Sequence, residues 1–430
     1  MQHSITVFLG QVRTDLKNTP KTTAQLLLGL FLYYLAWGLI DPFLSIYIEH
    51  IVSSYSFVGL IFGTLFLIGI LINIPLGSLA DKINKIQAIA GVLLFYVPIS
   101  LLYFFSGMFN GMLAIALLIF ARILHGFGLS YKIFVESFLR KNSVPKHTAG
   151  SFGLYFTTQF TARLIGILIA LILITSLGLT IENLHWFFLG IIPCSILAFI
   201  IIRKIPDDGK KLNEGMKEMI EKEKIVAQEI KDFTEMGFPG SVMILSAFFY
   251  IILHLLIWVY LPLYALKVNV GLPQIALMYV FISIPYAGSF LFAELADFLG
   301  KKKTAMIALF FAAIILARLS ILTTDGFEFL FLGFLLAVVV SFLGPSLNGI
   351  ITDITPKSKG GEITGIINSV VKTSELVGVI GLGILLDLIG FKESFRIIAA
   401  LLILMAILFL LARKSFEIRT ANTSKIDTIL

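Results

Sequence analysis

Apolar residues along this chain gather into runs near the ~20 residues that carry an α-helix across the hydrocarbon core of a bilayer. Twelve such runs can be marked, at about 22–49, 55–80, 85–106, 111–138, 149–177, 185–203, 240–266, 272–297, 303–323, 327–352, 361–388 and 394–412. Several exceed a minimal span, as tilted or kinked helices do. Polar residues are confined to short joints, with the exception of 204–238, whose centre from Asn213 to Phe233 alternates Glu and Lys with Met216, Ile220, Ile225 and Ile230. The pattern predicts an all-α membrane protein with twelve transmembrane helices. It divides into a six-helix bundle over 1–203, a partly helical cytoplasmic linker over 204–238 and a second six-helix bundle over 239–430.

Composition agrees: hydrophobic residues make up 58% of the chain and charged ones 14%, against roughly a quarter charged in soluble domains. The net charge of +7 follows from topology rather than from a nucleic-acid partner. With twelve spans, both termini and the even-to-odd joints share one side, and 25 of the 33 Lys and Arg residues fall there. By the positive-inside rule that side is cytoplasmic. The expectation is a multi-pass protein of a cell (inner) membrane. The lone Cys194 excludes an internal disulfide. The first 21 residues lack signal-peptide order, and Ile5, Phe8, Leu9, Val12 and Leu16 mark one face of a helix that would lie on the membrane surface.

One short string occurs twice. Gly77-Ser78-Leu79-Ala80-Asp81-Lys82-Ile83-Asn84-Lys85 follows one apolar run, and Ala293-Glu294-Leu295-Ala296-Asp297-Phe298-Leu299-Gly300-Lys301 follows another 216 positions later, about half the chain. Six spans per half start both halves on the same membrane side, so the repeats are parallel. The string resembles the signature of the major facilitator superfamily in the loop after its second helix, roughly G-x-L-A-D-[RK]-x-G-[RK]-[RK]. Asn84 replaces a glycine and is expected to tolerate a left-handed turn. Arg122-Ile123-Leu124-His125-Gly126 is similar to the family's R-x-x-x-G in the fourth helix. The resemblance implies two parallel six-helix bundles and a cytoplasmic gate built from Gly77, Asp81, Lys82, Lys85, Asp297 and Lys301. Physically, an aspartate at a helix end can accept hydrogen bonds from the amides of a neighbouring helix N-terminus.

The resemblance also implies that spans 1, 4, 7 and 10 line a central cavity. Tyr33, Trp37 and Asp41 are spaced i, i+4, i+8 in span 1, and Tyr250, His254 and Trp258 repeat that spacing in span 7. Span 4 carries Arg122, His125, Lys132 and Glu136 on one stripe, which cannot face lipid without a cost of several kcal/mol per charge. Matched depth predicts that Asp41 and Arg122 form a pair or compete for one site; Lys132 and Glu136, one turn apart, pair with each other or join the site. Arg163 in span 5, and Lys372 and Glu375 in span 11, lie at one depth, as a gate or as part of the solute site. Asn348 in span 10 supplies hydrogen bonds or close packing. Tyr47 and Tyr264 fit interfacial anchors, and Arg318 can snorkel to the interface.

No nucleotide loop, catalytic constellation or metal-ligand spacing emerges, so no enzyme, cofactor or metal is expected. The expected function is secondary active transport of a small solute by alternating access, coupled to protons or another ion, with Asp41, Arg122 and Glu136 as coupling groups. Aromatic stripes with Asp41 suit export of amphipathic or cationic compounds, similar to the family's drug–proton antiporters. The chain departs from them in span 5, which lacks their G-P-x-x-G-G string. The alternatives are an importer or exchanger of an anionic metabolite, held by Arg122, Lys132, Arg163 and Lys372, or a non-transporting receptor on the same fold. A monomer is expected by analogy.

Overall fold

The computed structural model describes residues 20–80, 83–142, 148–206, 237–322, 326–354 and 360–429. Ten stretches among them are long and apolar enough to cross a membrane. The helices Leu272–Ala287 and Ser289–Leu299, joined at Gly288, make an eleventh span. The 42-residue apolar stretch Val371–Ala412 is broken at Gly390, whose φ of 77° ends one helix and begins another, which completes twelve. The surface-helix expectation for the first 21 residues and the centre of the linker lie outside the described residues.

Span 1 (Lys21–Val52) is a broken helix. Lys21–Gly38 ends in a turn, Asp41–Phe43 forms one turn of 3-10 helix, and Leu44–Val52 resumes. Pro42 explains the break, because it lacks an N–H and its ring would clash with the carbonyl four residues earlier. The break lifts Asp41 out of the regular ladder. Span 4 is interrupted as well, Met112–Gly128 ending before Tyr131–Asn142 begins. Arg122 and His125 therefore stand on one helix and Lys132 and Glu136 on the next, rather than on the continuous stripe expected. Span 7 (Gly237–Lys267) carries one π-turn, Leu256–Tyr260, around Trp258. Such turns are rare and often mark functional positions.

Of the described residues, those within Met1–Asp41, Leu71–Leu173 and Glu182–Glu221 form one compact unit, and those within Pro42–Ile70, Ile174–Ile181 and Lys222–Leu430 form a second. In the first, spans 1 and 5 touch backbone to backbone. A Cβ on Gly38 would lie 2.3 Å from the carbonyl oxygen of Arg163, and one on Gly166 would lie 2.2 Å from that of Leu35. Small residues allow this approach where helices associate in a membrane.

In the second unit, Ser54 caps the helix Tyr55–Ala80. Its Oγ accepts from the Phe57 N–H at 3.3 Å and donates to Asp387 at 2.8 Å. Asp387 also accepts from the Tyr55 and Ser56 amides at 3.1 and 2.8 Å. The same bond pattern that the sequence suggested for Asp81, which lies outside the described residues, is made by Asp387 at the joint between spans 11 and 12. Negative charge at a helix N-terminus is favourable. Tyr47 and Tyr264 are buried rather than anchored at an interface, and the Tyr264 hydroxyl donates to the Leu319 carbonyl at 2.9 Å. Arg318 is fixed by a two-pronged interaction with Glu328, one hydrogen bond of which measures 2.7 Å.

Candidate functional site

The ionisable residues of the first unit converge at the break in span 1. Arg163 Nε lies 3.3 Å from Asp41 Oδ2, an ion pair between spans 5 and 1. The sequence pointed to Arg122 as a partner of Asp41 or its competitor for one site, and the ion pair is made by Arg163. The glycine contact explains the difference: Gly38, three residues before Asp41, lies against the Arg163 backbone itself. Depth along a helix is legible from counting residues, but which neighbour lies across the contact is not. Arg122 is nevertheless close enough to act on Asp41, as is Lys132. The Arg122 guanidinium lies 5.9 Å from the centre of the Tyr103 ring and hydrogen-bonds its hydroxyl. Arg163 lies 5.6 Å from the Tyr34 ring centre. Both are cation–π contacts.

The Asp41 and Arg163 side chains keep 16% and 24% of their surface open. Exposure of either charged group to lipid would cost several kcal/mol.

Aromatic rings enclose these charges. The Trp37 and His125 ring centres are 4.5 Å apart, those of Tyr33 and Tyr96 4.8 Å, and those of Trp37 and Tyr103 6.5 Å. The Tyr103 hydroxyl and His125 Nδ1 are hydrogen-bonded at 3.2 Å. Trp37 is 3% exposed, and its indole N–H has no hydrogen-bond partner. Three further tyrosines form a chain, Tyr131 donating to Tyr34 at 2.8 Å and Tyr34 meeting Tyr155 at 2.8 Å. Lys132 and Glu136 are half-buried beside this chain, and Glu136 acts on Tyr155. Sequence reasoning found Tyr33 and Trp37 but missed Tyr34, Tyr96, Tyr103, Tyr131 and Tyr155. For Tyr34, Tyr96 and Tyr131 the signal is tyrosine placed well inside an apolar span; Tyr103 and Tyr155, near span ends, carry no such signal.

The second unit has its own aromatic group. His254 Nδ1 and the Tyr286 hydroxyl are 3.2 Å apart, and the Trp258 ring centre lies 5.3 Å from that of Tyr279 and 5.7 Å from that of Tyr286. Tyr250 lies 6.3 Å from His254, ring centre to ring centre. Lys372 and Glu375 form an ion pair at 2.6 Å, one helical turn apart. Asn348 is exposed on span 10. Tyr279 and Tyr286, both on span 8, were not anticipated.

At the repeated string, Gly77 lies in the span 2 helix, while Asp81 and Lys82 lie outside the described residues. Lys85 is buried at the start of span 3. Asn84, a residue able to tolerate a left-handed turn, is extended here (φ −66°), and its side chain caps the span 3 helix by accepting from the Gln87 N–H at 2.8 Å. Gly300 in the second copy does take the positive φ, 92°. Asp297 and Lys301 form an ion pair at 3.5 Å. Among the described residues, no group of three or more His, Cys, Asp or Glu is placed to hold a metal ion.

The chain matches a family model described as Major Facilitator Superfamily over residues 26–293 and 243–426. An uncharacterized MFS-type transporter of Methanocaldococcus jannaschii is 26% identical over 390 residues, which cover 88% of this chain and 94% of that one. Among solved structures, a POT family transporter in complex with a thioalcohol-conjugated peptide is similar with a TM-score of 0.68 at 12% identity, over 93% of this chain and 97% of that one. The nucleoside transporter NupG gives 0.67 at 14%, over 92% and 100%. The xylose transporter XylE from E. coli gives 0.66 at 14%, over 90% and 95%. These structural likenesses show the fold alone, and the solutes named for them differ. With the repeated loop string, the twelve apolar spans and a family model matching most of its length, the chain belongs to the major facilitator superfamily of membrane transporters.

Proposed function

We propose that this transporter couples solute movement to protons through Asp41 and Arg163. The observation that carries the reading is their ion pair at a break in a membrane-spanning helix, on open surface deep in the span. In that environment neither charge is stable alone. Protonation of Asp41 releases Arg163, which must then engage another negative group; loss of the proton restores the pair and expels that group. Proton and solute occupancy are thereby linked, as reciprocal coupling requires. Arg122 supports the cycle by acting on Asp41 from span 4. A second reading, export of amphipathic cations, is supported by the cluster of Tyr33, Trp37 and Tyr96, aromatic rings of the kind that attract cations.

The test is proton movement in sealed proteoliposomes containing a trapped pH-sensitive dye, with benzenesulfonate or trimethylanilinium added outside. Both probes are permanently charged and do not cross lipid as neutral species. The expected result is internal pH change driven by one of them in wild type and lost in Asp41→Asn. Proton movement that persists in Asp41→Asn, or solute uptake without it, would overturn the coupling role.

A further inference from the structure

The site in the first unit also carries information about the charge of its solute. Within the middle of that unit the described ionisable groups, histidine aside, are Arg122, Lys132, Arg163, Asp41 and Glu136, three cations against two carboxylates. All three cations act on Asp41. Among the enclosing rings, the hydroxyls of Tyr34, Tyr131 and Tyr155 are engaged with one another and that of Tyr103 with His125. Buried positive charge in excess of negative charge is costly unless an anion completes it. Three cations less two carboxylates leave a net charge of +1 in the cluster, which repels a further cation and attracts an anion.

The buried side-chain atoms without a hydrogen-bond partner in this cluster include the Trp37 indole N–H, which is almost wholly buried, and Arg163 Nε, whose contact with Asp41 is an ion pair without hydrogen-bond geometry. Unsatisfied buried donors are rare, and each needs an explanation. Donors beside a cationic excess are what a carboxylate requires, through a charge-assisted contact on the guanidinium and a neutral one from the indole. The Trp37, Tyr33 and Tyr96 rings, packed on one another and almost wholly buried, are the apolar groups that the rest of the solute would meet by displacing part of that packing.

From this geometry we infer that the solute is an organic monoanion with an apolar or aromatic body, its acidic group held by Arg163 and the Trp37 indole N–H and its body lying against Tyr33 and Tyr96. The inference rests on the transporter reading and deepens it by naming the solute class. It inverts the order suggested by the aromatic stripes alone, which favoured a cationic compound.

The test is equilibrium binding to the purified full chain in detergent, by calorimetry, with benzoate, benzamide and benzyltrimethylammonium as probes of one ring size and three charges. Benzoate is expected to bind at least tenfold tighter than benzamide, with benzyltrimethylammonium weakest. Arg163→Gln should weaken benzoate at least tenfold and leave benzamide within twofold. Trp37→Phe, which keeps the ring and removes the donor, should weaken benzoate severalfold and serves if Arg163→Gln does not fold. Equal affinity for the three probes, tighter binding of the cation, or no binding of benzoate would overturn the inference. Because binding is read without a proton gradient, benzoate binding in a protein that moves no protons would sink the coupling proposal and leave the solute class standing.

Discussion

Arg163 reaches Asp41 because its backbone lies against Gly38, where a Cβ would come within 2.3 Å of the Arg163 carbonyl oxygen. The close approach of spans 1 and 5 thus sets which cation the aspartate meets. Gly38→Ala and Gly166→Ala should each force the two helices apart, since the atoms in the way are backbone and cannot rotate aside. The expected cost is about 1–3 kcal/mol, typical of overpacking, with loss of the Asp41–Arg163 contact. Gly91→Ala, where nothing lies within 4 Å of the added carbon, is the control and should be neutral. Thermal unfolding of the three variants in detergent checks this; equal stability of all three would show that spans 1 and 5 do not touch as described.

The tyrosine chain makes an ordered prediction. Tyr34 hydrogen-bonds both Tyr131 and Tyr155, each at 2.8 Å. Removing its hydroxyl strands two buried partners, whereas Tyr131→Phe or Tyr155→Phe removes an end of the chain. At about 1 kcal/mol per hydrogen bond, Tyr34→Phe should cost roughly twice what either end variant costs. Denaturation midpoints of the three phenylalanine variants decide it, and an end variant more damaging than the central one would contradict the chain.

Asp387 gives a prediction outside the site. Its carboxylate accepts from Ser54, Tyr55 and Ser56 at the start of the span 2 helix. Asp387→Ala should destabilise the protein by about 0.5–2 kcal/mol, the range for losing a helix cap. Asp387→Asn should lose less, because its amide oxygen still accepts. Anion binding in the first unit should be unchanged in both, which separates a structural role from a functional one.

The fold was legible in the sequence because hydropathy reports the membrane directly: each apolar run had to be helical to satisfy its backbone. The doubled loop string revealed the repeat. What could not be read was azimuth. Counting residues put Asp41 and Arg122 at one depth, but only the three-dimensional contact at Gly38 shows that Arg163 faces the aspartate. The Arg163-Leu164-Ile165-Gly166 string held the clue, a small residue one turn from a buried charge. The break at Pro42 was also visible in principle, whereas the interruption after Gly128 in span 4 has no proline to announce it. The tyrosine cage was missed because tyrosine in a membrane sequence is read first as an interfacial residue. At Asn84 the sequence left two uses open in principle, since asparagine favours helix caps as well as left-handed turns, and here the cap prevails.

The central claim is that anion binding at Arg163 and proton binding at Asp41 are one linked event. Proton uptake on benzoate binding, measured by calorimetry in buffers of differing ionisation heat, tests it most directly. Linkage predicts uptake approaching about one proton per benzoate bound in wild type, falling to near zero in Asp41→Asn while benzoate still binds. Benzoate binding without proton uptake in wild type, or with the same uptake in Asp41→Asn, would contradict the account.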